Sequence, residues 1–123
     1  MAEIFMYNIK NKKAIEIKNI CRTLYVEYRE IDESEYSYKL SYLLKMSDNS
    51  EKRESGDIKN EMLYLIGFND GLLNIFLKLL RSKKCAVTLK AVMTETNVNY
   101  TSYELYKEIS AEHKAMQSGN SIH

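Results

Sequence analysis

Lys90, Thr94, Thr96, Asn97, Asn99, Tyr100 and Thr101 are the residues whose types and spacing could hold a ligand. They lie in LKAVMTETNVNYTSYELYKEISAEHKAM, residues 89–116, where an apolar run gives way to a polar segment and then to a helix. In α/β sheets, ligands gather outside the carboxyl ends of strands. Two asparagines and three threonines offer directional hydrogen bonds there, beside the free N–H groups of a helix start. Lys90 shares a strand face with Val92 and Thr94, so its ammonium could reach the same edge as a polarising cation or lie along the apolar surface. The competing reading is a loop whose Asn and Thr satisfy their own backbone.

Other chemistry finds less support. Gly67-Phe-Asn-Asp-Gly71 joins a strand to a helix but lacks both phosphate-binding glycine motifs, and Asp70 opposes an anion. Glu108, Glu112 and His113 resemble part of a helical metal site. Glu112 and His113 are adjacent, however, and diverge by about 100° on a helix, so surface charge is the better reading and no metal is expected. Cys21 falls on an apolar helical face. Cys85 follows Lys83 and Lys84, which could activate it, although a small buried hydrophobe is the more usual role. Both thiols are expected to be reduced. No Ser/His/Asp arrangement and no G-x-S-x-G motif is visible. No catalytic residue and no cofactor are expected.

The elements that must position these residues follow from periodicity. Glu3–Ile9 reads as a strand. Asn11 is the expected N-cap of a helix with Ala14, Ile17, Ile20, Cys21 and Leu24 inward. Tyr25–Ile31 reads as strand. Asp32-Glu-Ser-Glu35 starts a second helix with Tyr36, Leu40, Leu43 and Leu44 on its apolar face. Residues 47–60 are polar and read as a solvated linker. Glu61–Phe68 is the expected central strand, apolar on both faces. Asn69 or Asp70 caps a helix with Leu72, Ile75, Phe76, Leu79 and Leu80 inward. Val87–Thr94 is a strand with Val87, Leu89, Ala91 and Met93 on one face. Thr101-Ser-Tyr-Glu104 is a capping box for the last helix, which turns Leu105, Ile109 and Met116 inward, and 117–123 is a frayed tail.

The predicted fold is therefore a single α/β domain: a four-stranded sheet built from two β-α-β-α halves, 1–46 and 61–116, joined by 47–60, with helices packed on the sheet. The halves look like one unit used twice, with Met6-Tyr-Asn-Ile9 beside Leu63-Tyr-Leu-Ile66.

Composition narrows the partners. A net charge of +1, spread evenly along the chain, supplies no field for nucleic acid or anionic lipid. The start MAEIFMYNIKNKK lacks the features of a signal peptide, and Met62–Phe68 is too short to span a membrane. A cytoplasmic protein is expected. Fourteen lysines against four arginines suit an AT-rich genome. Ten tyrosines and no tryptophan are the oddity: Tyr36, Tyr38 and Tyr42 cluster in one predicted helix, and Tyr100, Tyr103 and Tyr106 at the last. Tyrosine is enriched at protein interfaces, and also at core edges where the hydroxyl stays wet.

Residues 62–116 also resemble a bacterial family of small uncharacterised proteins, the domain-of-unknown-function family 3783. That family has a GF turn, an L-K-A-V-[LM]-T-x-x-N strand and loop, and an E-L-x-x-E-x-x-x-E-H helix. Gly67-Phe68, Leu89–Thr94 with Asn97, and Glu104 through His113 match. Residues 6–44 look similar to the N-terminal part of longer members. The resemblance implies an α/β fold and a bacterial source, and it carries no activity, cofactor or catalytic residue. The function expected is a non-enzymatic binding or regulatory module that engages a partner protein or a second copy of itself. The alternative is a small-molecule sensor or enzyme using Lys90 and Thr94–Thr101.

Overall fold

The computed structural model describes residues 1–122, with side chains through Gln117. The elements run β1 (Glu3–Tyr7), α1 (Asn11–Thr23), β2 (Glu27–Glu30), a 3-10 turn (Glu33–Glu35), α2 (Leu40–Leu43), β3 (Met62–Ile66), α3 (Asp70–Ser82), β4 (Leu89–Val92), a second 3-10 turn (Asn97–Asn99) and α4 (Ser102–Ile122). This is an α/β protein with a four-stranded mixed sheet. It divides into two compact units, 1–31 with 59–93 and 32–58 with 94–123, so each unit draws on both halves of the sequence.

The first unit holds the sheet, in the order β2-β1-β3-β4. β1 pairs with β2 and β3 with β4 in parallel, as a helical crossover requires, while β1 and β3 meet antiparallel at the centre. β3 is buried along its whole length, as its uninterrupted apolar run predicts. Ile4, Met6, Leu63 and Leu65 point into one core with Ile17, Cys21, Phe76 and Leu80 of the two helices. Phe5, Tyr7, Met62 and Tyr64 point the other way and are buried too. The edge strand β2 is EYRE, half-buried to exposed, and charge of this kind deters further strands from pairing.

Several local expectations are corrected. Asn11 is not the cap of α1: Lys10 holds that position with extended backbone and no side-chain bond, while Asn11 takes φ 57°, a left-handed conformation Asn tolerates. Ile75, expected inward, is half exposed, because the apolar stripe of α3 is wider than the surface it covers. Asn69 does cap α3, its Oδ1 accepting the Leu72 N–H at 2.8 Å.

The second unit holds the two 3-10 turns, α2, the loop to Ile58, and α4. The single helix expected from Asp32 to Leu44 is two short pieces. Its capping box forms (Asp32 accepts from Ser34 N–H, Glu35 from Asp32 N–H). The chain then extends at Lys39, ψ 145°, where it makes an antiparallel bridge to Thr101. That bridge, with Leu40 N–H donating to the Tyr100 carbonyl, takes the backbone groups a continuous helix would use. In α4, Leu105 is buried as expected but Met116 is 68% exposed, since the helix outruns the surface it packs on. Apart from Gln117, the expected frayed tail 117–123 lies outside the residues whose side chains are described.

Both cysteines are free and buried. Burial pushes the Cys21 thiol up to about 12, against a smaller opposing pull from Arg22. Burial also raises Cys85, with Glu16 adding to it, and Lys13 and Lys83 do not offset the rise. The lysine pair thus does not activate Cys85. A disulfide-exchange reagent at pH 8 is expected to label neither thiol in the native protein and both once it is unfolded in urea. Labelling of Cys85 at the unfolded rate would overturn that assignment.

Candidate functional site

The residues singled out from the sequence fall in both units. Lys90 lies on β4 in the sheet unit, half-buried, and its ammonium donates to the Val87 carbonyl three residues back. Burial lowers its pKa, and the Arg81 charge lowers it further. A lysine held this way gives up its proton more readily than one in water, the property a nucleophilic or polarising lysine needs.

Thr94–Thr101 belong to the second unit and form a reciprocal turn. Asn97 N–H donates to Thr94 Oγ1 and Thr94 N–H to Asn97 Oδ1, both at 2.9 Å. Asn99 Nδ2 donates to the Glu95 carbonyl at 3.1 Å. Thr101 is fully buried. It closes the capping box of α4, with Glu104 N–H donating to Thr101 Oγ1 at 3.1 Å and Thr101 N–H to Glu104 Oε1 at 2.8 Å. Thr94, Thr96 and Asn99 face solvent. The polar residues that drew notice thus spend much of their hydrogen-bonding capacity on their own backbone, as Asn and Thr commonly do in turns.

The second unit also assembles tyrosines in a way that sequence spacing does not show. Tyr38 and Tyr42 lie 5.1 Å apart in a tilted stack, and the Lys52 ammonium stands 5.5 Å from the Tyr38 ring. Lys107 stands 4.8 Å over Tyr103. Arg53 donates to Glu104 Oε1 at 2.9 Å, and its backbone N–H reaches the Ser37 carbonyl at 3.0 Å. Gly56 is where the loop meets Tyr103: a Cβ built there would lie 2.5 Å from the ring. Residues 47–58, which read as a solvated linker, therefore supply Lys52, Arg53 and Gly56 to this cluster and bury Ile58. The one signal in the sequence was a lone glycine and a lone isoleucine in a polar run. Their partners lie too far along the chain for any periodicity to connect them.

Beside this cluster, an open depression of about 580 Å³ is lined by Asp32, Glu33, Ser34, Tyr36, Ser55, Gly56 and Asp57. Burial raises the Tyr36 phenol, and the charges of Glu33, Asp32 and Asp57 raise it further. The Ser34 hydroxyl and N–H hold the exposed Asp32 carboxyl below its ordinary range. The depression is therefore anionic at neutral pH and repels phosphate. The Tyr100 phenol is raised chiefly by its hydrogen bond to Glu108, so Glu108 serves a tyrosine. Among the described residues no group of three or more His, Cys, Asp or Glu could hold a metal, and no helix is long and apolar enough to cross a membrane.

Burial alone would raise the Glu104 carboxyl, but hydrogen bonds from Thr101 and Arg53 and the Arg53 charge outweigh it and hold the carboxyl below its ordinary range. A depressed carboxylate contributes stability that is present above its unfolded pKa and is lost as pH falls through the folded one. The stability gap between wild type and Glu104→Gln should be constant at neutral pH and close in acid. Urea melts at pH 7 and below pH 4 measure it, and a gap that persists in acid would contradict the assignment.

Residues 61–116 match the model of a domain of unknown function, DUF3783. No curated protein and no solved structure matches the chain.

Proposed function

We propose that this chain, whose residues 61–116 belong to the DUF3783 family, is a non-enzymatic binding module of the bacterial cytoplasm that engages a protein partner through the tyrosines of its second unit. The observation that carries this reading is that Tyr38, Tyr42, Tyr100, Tyr103 and Tyr106 are all half-buried in one unit. Ring stacking and the neighbouring lysines orient several of them. Rings held in place lose little entropy on binding, and tyrosine supplies both apolar area and a hydrogen bond. The anionic depression beside them favours a partner segment bearing Lys or Arg. The even charge and the lysine-rich, arginine-poor composition are consistent with the cellular setting.

The test compares wild type with Tyr38→Ser/Tyr42→Ser in cross-linking followed by mass spectrometry, after amide spectra show that the variant keeps its fold. Partners cross-linked by wild type and lost from the variant support the reading. An identical partner set from both chains overturns it.

A second reading has its own observation, the half-buried Lys90 with its lowered pKa. A small-molecule sensor or enzyme would use that ammonium, or the exposed groups of Thr94–Thr101 in the other unit, as its ligand seat. A two-dimensional amide titration with phosphate-bearing metabolites and nucleotides separates the two. Saturating shifts confined to residue 90 or to residues 94–101 favour the sensor, and their absence removes it.

A further inference from the structure

The two halves of the chain match in their turns far more closely than in their side chains. A shift of 59 positions carries α1, Asn11–Thr23, onto α3, Asp70–Ser82. The same shift carries the closing turn of one helix onto that of the other, bond for bond. Leu24, Tyr25 and Val26 N–H donate to the carbonyls of Ile20, Arg22 and Cys21, and Lys83, Lys84 and Cys85 N–H to those of Leu79, Arg81 and Leu80. Tyr25 and Lys84 both take φ 57°. After the first strand of each half, Asn8 and Gly67, again 59 apart, take φ 59° and 74°.

Three further residues precede the second strand of the later half, and from there the shift is 62. It carries β2, Glu27–Glu30, onto β4, Leu89–Val92. It also carries the Asp32/Glu35 box onto the Thr94/Asn97 box, each with the first N–H donating to the fourth side chain. Glu33, Tyr38, Leu43 and Lys45 then meet identical residues at Glu95, Tyr100, Leu105 and Lys107. Pairing Met6-Tyr-Asn-Ile9 with Leu63-Tyr-Leu-Ile66 implies a shift of 57. That differs from 59 by one strand repeat and leaves every side chain on the same face, so apolar pattern alone could not separate the two; the turns do.

These shifts, read from helices and turns, account for contacts elsewhere. In the sheet, Phe5 shifted by 59 is Tyr64, and Phe5 stands opposite Tyr64 at the centre of the β1–β3 ladder. Glu3↔Ile66 and Tyr7↔Met62 exchange under the same shift, as do Ile4↔Leu65 and Met6↔Leu63. In the second unit, Lys39 shifted by 62 is Thr101, its partner in the antiparallel bridge. A surface on which residue i meets j and j meets i is self-complementary, the signature of a two-fold pairing between copies.

We propose that residues 1–46 and 60–108 are two divergent copies of one module, and that the module's binding surface, the open edge of its first strand, is built to take a second copy of the same module. In this chain β1 supplies that second copy to β3. A protein carrying one copy is expected to form a two-fold dimer with its Tyr64 equivalents opposite each other. One module has about half the length of the chain, and a chain that short buries a smaller share of its surface and is marginal by itself, which is the physical reason for the fusion.

The test keeps the chain at full length and replaces residues 1–46 with a second 60–108, ahead of the unchanged 47–123. This chain is expected to unfold cooperatively as a monomer. With Tyr64→Cys in both copies it should form an internal disulfide on mild oxidation, as Phe5→Cys/Tyr64→Cys should in the natural chain. Ile66→Cys in both copies should form none, because each Ile66 faces Met62 of the other copy. A doubled chain that stays unfolded or only aggregates would overturn the proposal. So would a folded one that oxidises at position 66 as readily as at 64.

Discussion

Phe76→Ala is expected to lower the stability of the protein by about 3–5 kcal/mol, the range for truncating a fully buried aromatic. Phe76 is 0% exposed, points from α3 into the core of the sheet unit, and meets Phe68 edge-on at 5.4 Å between centroids. Two terms add: the lost transfer energy of the ring, and a cavity between α3 and the sheet that backbone held by the β1–β3 ladder cannot collapse to fill. A domain of this size has about 5–15 kcal/mol in all, so the substitution takes a large share. With a urea slope of about 1–3 kcal/mol per molar, the midpoint should fall by on the order of 2 M. Ile75→Ala, one position away and half exposed, is the control and should change the midpoint little. Equal losses at the two positions would mean that α3 does not pack as described.

Gly67→Val should cost about 2–4 kcal/mol, combining a left-handed backbone conformation with steric crowding. Gly67 has φ 74°, and an added Cβ would lie 3.0 Å from the Met1 carbonyl oxygen, a backbone atom fixed beside the start of β1. Valine is worse than alanine there because its branched Cβ tolerates positive φ least. Asn8→Gly, at the matching turn of the first half, should cost less than Gly67→Val: glycine adopts the native φ of 59° freely, and the loss is confined to the side chain, whose Nδ2 donates to the Asn60 carbonyl at 3.2 Å. Chemical denaturation of both variants reads the contrast. A Gly67→Val protein as stable as wild type would show that the turn opens without strain.

Strand and helix order was legible because period-2 and period-3.6 burial leave separate marks. Met62–Ile66 reads as a strand covered on both faces, and Asp70–Ser82 as an amphipathic helix capped by Asn69. The capping box at Thr101 and Glu104 was legible because both partners lie within one turn. The candidate site was legible only in part. The types and order of Thr94–Thr101 stand in the sequence, but not that Asn97 and Thr94 bind each other's backbone, since a polar side chain facing a ligand and one facing its own loop look alike as letters.

What the sequence determined by itself is what short-range chemistry can enforce: which segments bury one face or two, where α3 and α4 begin, and that the chain is α/β. What only tertiary structure decided depends on residues far apart meeting. The break of the second predicted helix at Lys39 follows from its bridge to Thr101. The antiparallel centre of the sheet follows from the pairing of Phe5 with Tyr64. The docking of Arg53 and Gly56 on Glu104 and Tyr103 follows from a loop that no local pattern ties to α4. Local propensity amounts to tenths of a kcal/mol per residue, so wherever a long-range pairing supplies more, the distant partner sets the outcome.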